Sequence, residues 1–103
     1  MKFILIYTTY KDTKEAQNIT DYLLDNKLIA CVNFFSSTSK YRWKGTIETS
    51  SEITAILKTK IDNWNKVKEY IEANHSYKTP CIIKFAEVES NDSYATWVQK
   101  ETN

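Results

Sequence analysis

The stretch "KYRWKGTIETSSEITAILKT", Lys40–Thr59, contains Gly45, the only glycine in a chain of 103 residues. Gly45 separates two runs of β-forming residues, and glycine readily adopts the positive φ that a tight turn requires. The stretch therefore predicts a β-hairpin. Each arm would have about a dozen residues, whereas strands usually have about 5–6. Long strand edges aggregate unless they are covered, so the hairpin is expected to project beyond its own domain and to contact a partner subunit.

Upstream of the hairpin, the pattern predicts a strand, a helix and a second strand. The apolar run at Lys2–Thr9 is typical of a strand covered on both faces. Asp12 can cap a helix, with Glu15 as its capping-box partner, and helical spacing continues to about Lys27. From Leu28, "LIACVNFF" predicts a strand that "SSTSKYRW" continues into the hairpin.

Downstream, a second helix, a fourth strand and a terminal helix follow. Asp62 is the predicted cap of the second helix, whose apolar stripe consists of Trp64, Val67 and Ile71. Pro80 opens the strand "CIIKFAEV", and Ser90 or Asp92 would cap the last helix. The order β-α-β-β-α-β plus a helix predicts an α+β fold, a ferredoxin-like sandwich with a long hairpin. Residues 1–103 would form one domain.

Composition limits the possible partners. The chain is 42% hydrophobic, and its net charge of +1 comes from interspersed acidic and basic residues, which argues against a nucleic-acid partner. The apolar N-terminal run is too short for a membrane span and lacks a signal-peptide cleavage pattern. Cys31 and Cys81 match no zinc or redox spacing and are predicted to be reduced thiols. A cytoplasmic protein with no membrane partner is expected.

The heptapeptide "NHSYKTP", Asn74–Pro80, holds the only histidine and the only proline. His75 could be a metal ligand, an acid–base catalyst or part of a polar turn at a helix end. A base–nucleophile pair of His75 and Cys81 is conceivable. A cysteine at the start of a strand is more often a small buried hydrophobe, so the structural interpretation is favoured. With one glycine, the chain cannot form a glycine-rich phosphate loop.

A metal site needs several converging ligands. The candidates within one chain are His75, Cys31, Cys81, Glu48 and Glu52. A lone histidine at a helix end is more often a capping group than a ligand, so a site within one chain is disfavoured. A site shared between subunits stays open, because symmetry would multiply the histidine.

The segment "KYRWK", Lys40–Lys44, has two interpretations. Aromatic residues interleaved with basic ones can stack on single-stranded nucleic acid. Alternatively, Tyr41 and Trp43 pack on a partner subunit while Arg42 and Lys44 face water. The near-zero net charge favours the second interpretation.

Several separated motifs, in this order, resemble the CutA family of divalent-cation tolerance proteins. The likeness runs from Thr9 to about Val98. Its motifs are "LIACVN" at Leu28–Asn33, the Tyr-x-Trp-x-Gly-x-Ile turn at Tyr41–Ile47, Lys58-Thr59, His-x-Tyr-x-x-Pro at His75–Pro80, and Tyr-x-x-Trp at Tyr94–Trp97.

The resemblance implies a ferredoxin-like subunit in a tight homotrimer, similar in architecture to PII-type signalling proteins. Family members are linked to tolerance of copper and other divalent ions, some bind copper, and no established reaction comes with the family. An inter-subunit cleft would bind an ion or a small ligand. The motif residues gathered there would be Tyr41, Trp43, Lys58, His75 and Tyr77.

This chain departs from the family pattern near the expected metal site. Thr8 stands where some members have cysteine, Lys11 replaces a proline, and Asn74 replaces the first histidine of a pair. Cys81 stands where glutamate is common. The remaining metal candidates are His75 and Cys81, a soft set that suits copper. The alternatives are a metal-free sensing or scaffolding trimer of the PII-like kind, or an enzyme acting in the cleft, although no enzyme activity is expected.

Overall fold

The computed structural model describes residues 2–103 and confirms the predicted order of elements. Secondary structure alternates as β1 Ile4–Tyr10, α1 Thr13–Asp25, β2 Cys31–Trp43, β3 Thr46–Thr59, a 3-10 turn Ile61–Asn63, α2 Trp64–Asn74, β4 Ile82–Phe85 and α3 Asp92–Glu101. The fourth strand is shorter than predicted at both ends, because it pairs with β1 only over Ile82–Phe85.

One antiparallel sheet carries the fold, with strand order β2-β3-β1-β4. Helices α1 and α2 pack on the same face of this sheet. Their buried residues Leu23 and Ile71 meet Ile6 and Leu57 of the central strands. Each such side chain contributes about 1.5–3 kcal/mol by leaving water. The α+β, ferredoxin-like prediction is confirmed.

The hairpin is as long as its sequence predicts. β2 pairs with β3 without interruption from Cys31↔Lys58 to Trp43↔Thr46. By contrast, β1 pairs only with the last seven residues of β3, Ile53–Thr59. The distal half of the hairpin therefore extends past the sheet, and the molecule measures 45 × 25 × 21 Å. Lys44 (φ 48°) and Gly45 (φ 83°) form its two-residue turn, with the two positive φ values of a type I′ turn.

The capping predictions had mixed outcomes. Asp12 caps α1, since its Oδ1 accepts the backbone N–H of Glu15 at 2.9 Å. Glu15 does not return this bond to Asp12; its carboxylate accepts N–H groups from Lys11 (3.2 Å) and from Ser76 (2.8 Å) in the turn after α2. The capping-box prediction was therefore wrong in its second half, because Glu15 joins α1 to that turn.

The predicted caps of the other two helices were wrong. Asp62 lies inside the 3-10 turn, and Asn63 holds the cap position of α2. The Asn63 amide instead donates to the carbonyl of Leu28 at 3.3 Å and to Thr59, which ties the turn to the sheet. At α3 the cap position belongs to Asn91 rather than to Ser90 or Asp92.

The opposite face of the sheet is only partly covered. Helix α3 packs against one end of it through Val98 and Ala95. Farther along, Phe35, Ile83 and Phe85 are 47%, 47% and 51% exposed. The strand registers place all three side chains on this face. None of the helices between residues 2 and 103 has the length and apolar character needed to cross a bilayer.

Candidate functional site

A cleft of about 590 Å³ opens between the hairpin and the turn that follows α2. Four aromatic side chains line it: Tyr7, Tyr41, Trp43 and Tyr77. Two carboxylates, Glu48 and Glu52, and the thiol of Cys81 also line it. Two other depressions, of about 450 and 520 Å³, have mostly polar walls. The aromatic cleft is therefore the candidate site.

The strand register explains why these hairpin residues share one wall. Side chains alternate between the two faces of a strand, and directly paired residues lie on the same face. Tyr41 pairs with Glu48 and Trp43 with Thr46, while Glu52 lies four residues from Glu48 on the same face. The predicted alternation of Tyr41 and Trp43 is thus confirmed.

A hydrogen bond joins the two sides of the cleft. The hydroxyl of Tyr77 donates to Oε2 of Glu52 at 2.7 Å. The residue Glu52 as a whole is only 8% exposed. Burial, with the neighbouring carboxylate of Glu52, raises the pKa of Tyr77. Tyr77 therefore stays protonated at neutral pH and keeps donating to the carboxylate.

His75 lies behind the cleft and holds the turn in place. Its side chain is fully buried, and its Nε2 is 2.7 Å from the carbonyl oxygen of Thr9. A carbonyl can only accept, so Nε2 carries the proton, and Nδ1 accepts the backbone N–H of Tyr77 at 3.0 Å. The ring also stacks on Tyr10 at 5.3 Å. Of the three possibilities for His75, these contacts match the polar turn at a helix end.

Glu15 fastens the same turn from the side of α1. Its Oε2 accepts the N–H of Ser76, and its Oε1 lies 4.0 Å from Nδ1 of His75. Burial by itself would raise the pKa of Glu15, but the hydrogen bonds from Ser76 and Lys11 outweigh it and lower that pKa. The ionised carboxylate is therefore the form that stabilises the turn.

Cys81 lines the cleft, as its place beside Pro80 suggests, but its surroundings favour the neutral thiol. Burial and the nearby charge of Glu52 raise the pKa of Cys81. Both ring nitrogens of His75 are engaged, and residues 2–103 include no group of three or more histidine, cysteine or acidic side chains that could hold a metal ion. The donors of one chain do not fit a complete metal site.

Lys58 lies at the end of β3 opposite the hairpin tip, and its strand partner Leu5 is two residues from the cleft residue Tyr7. Ten positions along β3 separate Lys58 from Glu48, a distance of about 34 Å in an extended strand. Its ammonium group donates to Asn33 and approaches Sγ of Cys31 at 3.6 Å. Of the predicted site residues, Tyr41, Trp43, Tyr77 and Cys81 line the cleft. His75 lies behind them, and Lys58 is not among the lining residues. A role for Lys58 in an inter-subunit cleft stays a prediction.

Glu52 and Tyr7 line the cleft but are not among the cleft residues predicted from the sequence. The sequence indicates Glu52 only as a candidate metal ligand, and its contact with Tyr77 joins residues 25 positions apart. The available signal was the two-residue alternation of a strand. Glu48 pairs with Tyr41, and Glu52 is four residues farther along β3, so all three side chains lie on the same face of the sheet. Tyr7 carried no signal beyond its place in an apolar strand.

The fold and this cleft define a ferredoxin-like α+β protein with an extended hairpin and a site where hairpin and turn meet. The chain belongs to the CutA1 divalent ion tolerance protein family, whose family model matches residues 4–101. The resemblance noted in the sequence is thereby confirmed.

Several relatives match over nearly their full lengths. The divalent-cation tolerance protein CutA of Pyrococcus horikoshii is 39% identical over 99 residues, covering 96% of this chain and 97% of that protein. The crystal structure of CutA1 from Ehrlichia chaffeensis has a TM-score of 0.94 at 41% identity, covering 100% and 98% of the two chains. CutA1 from Pyrococcus horikoshii superposes with a TM-score of 0.92 at 38% identity, covering 97% and 98%.

Proposed function

We propose that this protein acts in divalent-cation tolerance as a homotrimer that binds an ion or a small ligand in clefts at its subunit boundaries. The observation that carries the proposal is the open sheet face with Phe35, Ile83 and Phe85, each about half exposed. Contiguous exposed apolar surface of this kind marks interaction sites. Relatives named divalent-cation tolerance protein supply the functional class.

The protruding hairpin supports the same assembly. Its distal half pairs with no strand beyond its own partner arm among residues 2–103. A neighbouring subunit would cover these edges and the open face together. A ring of three would use one repeated heterologous contact that closes on itself. The number three rests on the family resemblance.

In such a trimer, the aromatic cleft would lie at a subunit boundary. Tyr41 and Trp43 stand on the part of the hairpin that leaves its own sheet, and both are exposed in the single chain. Lys58 is remote from them in its own chain, so it would reach a cleft only from a neighbour. This placement would unite the motif residues Tyr41, Trp43, Lys58, His75 and Tyr77.

Copper is the proposed ion, with Cys81 as its first ligand and His75 as the second. Cys81 lines the cleft directly, whereas His75 would have to release Thr9 or Tyr77 to coordinate an ion. Because the donors of one chain do not suffice, a complete site would draw ligands from two subunits. The metal-free, ligand-sensing alternative is supported by the aromatic lining of the cleft.

A cytoplasmic location stays a proposal. One relative of known structure, from Archaeoglobus fulgidus, is described as periplasmic, and a relative from Arabidopsis thaliana is described as chloroplastic. The family therefore does not decide the compartment of this chain.

The test combines light scattering after size exclusion with melting curves in the presence of copper and zinc salts. The expected mass is about 36 kDa, three times the 12.1 kDa of one chain. An ion bound by the folded trimer should raise its melting temperature. A monodisperse monomer at micromolar concentration would contradict the assembly. A trimer whose melting no ion changes would favour the metal-free alternative, and turnover lost in His75→Ala would favour an enzyme.

A further inference from the structure

Helices α1 and α2 carry a pair of stacked tyrosines on their outer side. The ring centres of Tyr22 and Tyr70 are 3.9 Å apart, and the ring planes differ by 2°. Aromatic pairs in proteins usually have their centres about 4.5–7 Å apart. The two rings are therefore in face-to-face contact, with ring carbons of one tyrosine against those of the other.

The stack lies at the solvent side of the hydrophobic core. The buried residues of the two helices include Leu23 of α1 and Val67 and Ile71 of α2. Tyr22, in contrast, is 42% exposed, and Tyr70 is half-buried. A small reagent in solvent can thus reach the stacked rings while the helices stay folded.

The backbone that carries each ring is held by the same kind of hydrogen bond. The side-chain amide of Asn26 donates to the carbonyl of Tyr22 at 2.8 Å. The side-chain amide of Asn74 donates to the carbonyl of Tyr70 at 2.9 Å. These bonds restrain the ends of both helices and limit how far the rings can separate.

The pair stays accessible in the proposed trimer. Helices α1 and α2 cover one face of the sheet, whereas the exposed side chains of Phe35, Ile83 and Phe85 belong to the opposite face. A neighbour that covers this opposite face and the hairpin leaves the outer side of the helices in solvent. Neither Tyr22 nor Tyr70 lines the aromatic cleft.

Two tyrosine rings in contact can be joined by oxidation. Hydrogen peroxide, acting through a one-electron catalyst, removes one electron and one proton from each phenol and is itself reduced to two water molecules. The two phenoxyl radicals then form a carbon–carbon bond between positions adjacent to their hydroxyl-bearing carbons. Each bonded carbon passes its hydrogen to the ring oxygen, so the dityrosine product keeps both hydroxyls and has lost two hydrogen atoms in all.

The geometry of the stack favours this coupling within one chain. Reacting groups that are held in contact behave as one molecule, with effective concentrations far above those of groups that must meet by diffusion. The ring centres of a biaryl are only slightly farther apart than those of this stack, so the rings need to tilt but the helices need not move apart. Among the aromatic pairs of residues 2–103, this is the one in which both rings are tyrosines.

We propose that Tyr22 and Tyr70 form a site of oxidative modification, at which peroxide-driven one-electron oxidation converts the stack into a dityrosine that joins α1 to α2 covalently. This inference goes beyond the proposed function and does not depend on the cleft. A covalent link between distant positions reduces the entropy of the unfolded chain. The modified protein should therefore melt at a higher temperature than the unmodified protein.

Treatment of the purified assembly with hydrogen peroxide and a peroxidase tests the proposal. The wild type should gain the fluorescence of dityrosine and lose the mass of two hydrogen atoms. It should still run as a single chain on a denaturing gel, because the link lies within one chain. Peptide mapping should find the peptides that contain Tyr22 and Tyr70 joined to each other, and the melting temperature should rise.

Three variants assign the product to the stack. Tyr22→Phe and Tyr70→Phe each keep a ring but remove a phenol, and both should lose the single-chain product and the rise in melting temperature. Tyr94→Phe is the matched control, because the ring of Tyr94 pairs with Phe3 at 5.7 Å and with Trp97 at 5.6 Å, neither of which is a tyrosine. It should cross-link as the wild type does.

Three results would overturn the proposal: no dityrosine in the folded wild type, a product found only between chains, or a single-chain product that persists in both Tyr22→Phe and Tyr70→Phe. The assembly and metal measurements are independent of this oxidation. A trimer that responds to copper but forms no dityrosine would overturn this inference alone.

Discussion

The hydroxyl of Tyr77 lies 2.7 Å from Oε2 of Glu52 and joins the turn after α2 to the middle of the hairpin arm β3. Two further contacts hold the turn from behind: His75 donates to the carbonyl of Thr9, and Ser76 donates to Glu15. These bonds connect α1, β1 and β3 through one heptapeptide. The shape of the cleft therefore depends on a few polar contacts between distant parts of the chain.

Replacing Tyr77 by Phe should destabilise the protein. The change leaves the carboxylate of the buried residue Glu52 without its donor, at a cost of about 1–3 kcal/mol. Chemical denaturation of the wild type and Tyr77→Phe would measure it. Tyr22→Phe, on the exposed face of α1, is the matched control and should change stability by less than about 0.5 kcal/mol. Equal stabilities of Tyr77→Phe and the wild type would show that the bond is not important.

His75→Ala should lower stability more strongly, by about 2–4 kcal/mol, because two partly buried hydrogen bonds and the stack on Tyr10 are lost together. Thermal melting would report the loss. Asn74→Ala, one position earlier and exposed, should cost much less. If His75→Ala folds with full stability but loses copper binding, His75 is a ligand and its structural role has been overstated.

Trp43 tests the assembly. In the single chain its side chain is 42% exposed, so nothing within the subunit accounts for a large stabilising role. If a neighbouring subunit buries it, Trp43→Ala should cost about 3–5 kcal/mol and should lower the melting temperature or dissociate the trimer. Trp97→Ala, with 41% exposure, is the control. A loss of a few tenths of a kcal/mol for Trp43→Ala would place this residue in solvent.

The pH dependence of stability should depend on Glu15. Its pKa is lowered in the folded state, so the ionised carboxylate stabilises the protein above its ordinary pKa of 4.5, and this contribution is lost as pH falls through the folded-state value. Glu15→Gln should therefore melt earlier than the wild type at pH 7, and the two should converge in acid. Glu89→Gln, at an exposed position, should match the wild type throughout. A constant gap between Glu15→Gln and the wild type at all pH values would contradict the role of charge.

Copper binding should depend on Cys81 rather than on Cys31. We expect weak binding of Cu(II) and Zn(II), and tighter binding only of copper under reducing conditions, because a thiol is a soft donor. Cys81→Ser should reduce that affinity at least tenfold, and Cys31→Ser should not. Affinity should fall as pH falls, since the thiol must lose its proton and the pKa of Cys81 is already raised. Tight zinc binding by the wild type would show that the site is placed wrongly.

The local predictions succeeded where one short pattern had one physical solution. A lone glycine between two β-forming runs has few alternatives to a turn, and Asp12 before an apolar helical stripe has few alternatives to a cap. The prediction that Asp62 caps α2 was wrong although Asp62 suits a cap equally well. Asn63 bonds to Leu28, 35 residues away, and a 3-10 turn precedes the helix, so α2 begins later than predicted. Such a long-range bond leaves no trace in the spacing of neighbouring residues.

From the sequence alone came the element order, the ferredoxin-like fold, the protruding hairpin and the wall shared by Tyr41 and Trp43. All of these follow from periodicity and turn chemistry, which act over a few residues. Only the tertiary structure decided that both nitrogens of His75 are engaged, that Tyr77 meets Glu52, and that the ammonium group of Lys58 contacts Asn33 of the paired strand. The reason is that hydrogen-bond partners and burial depend on which distant segments the sheet register brings together, and every candidate ligand looks equally available until that register is known.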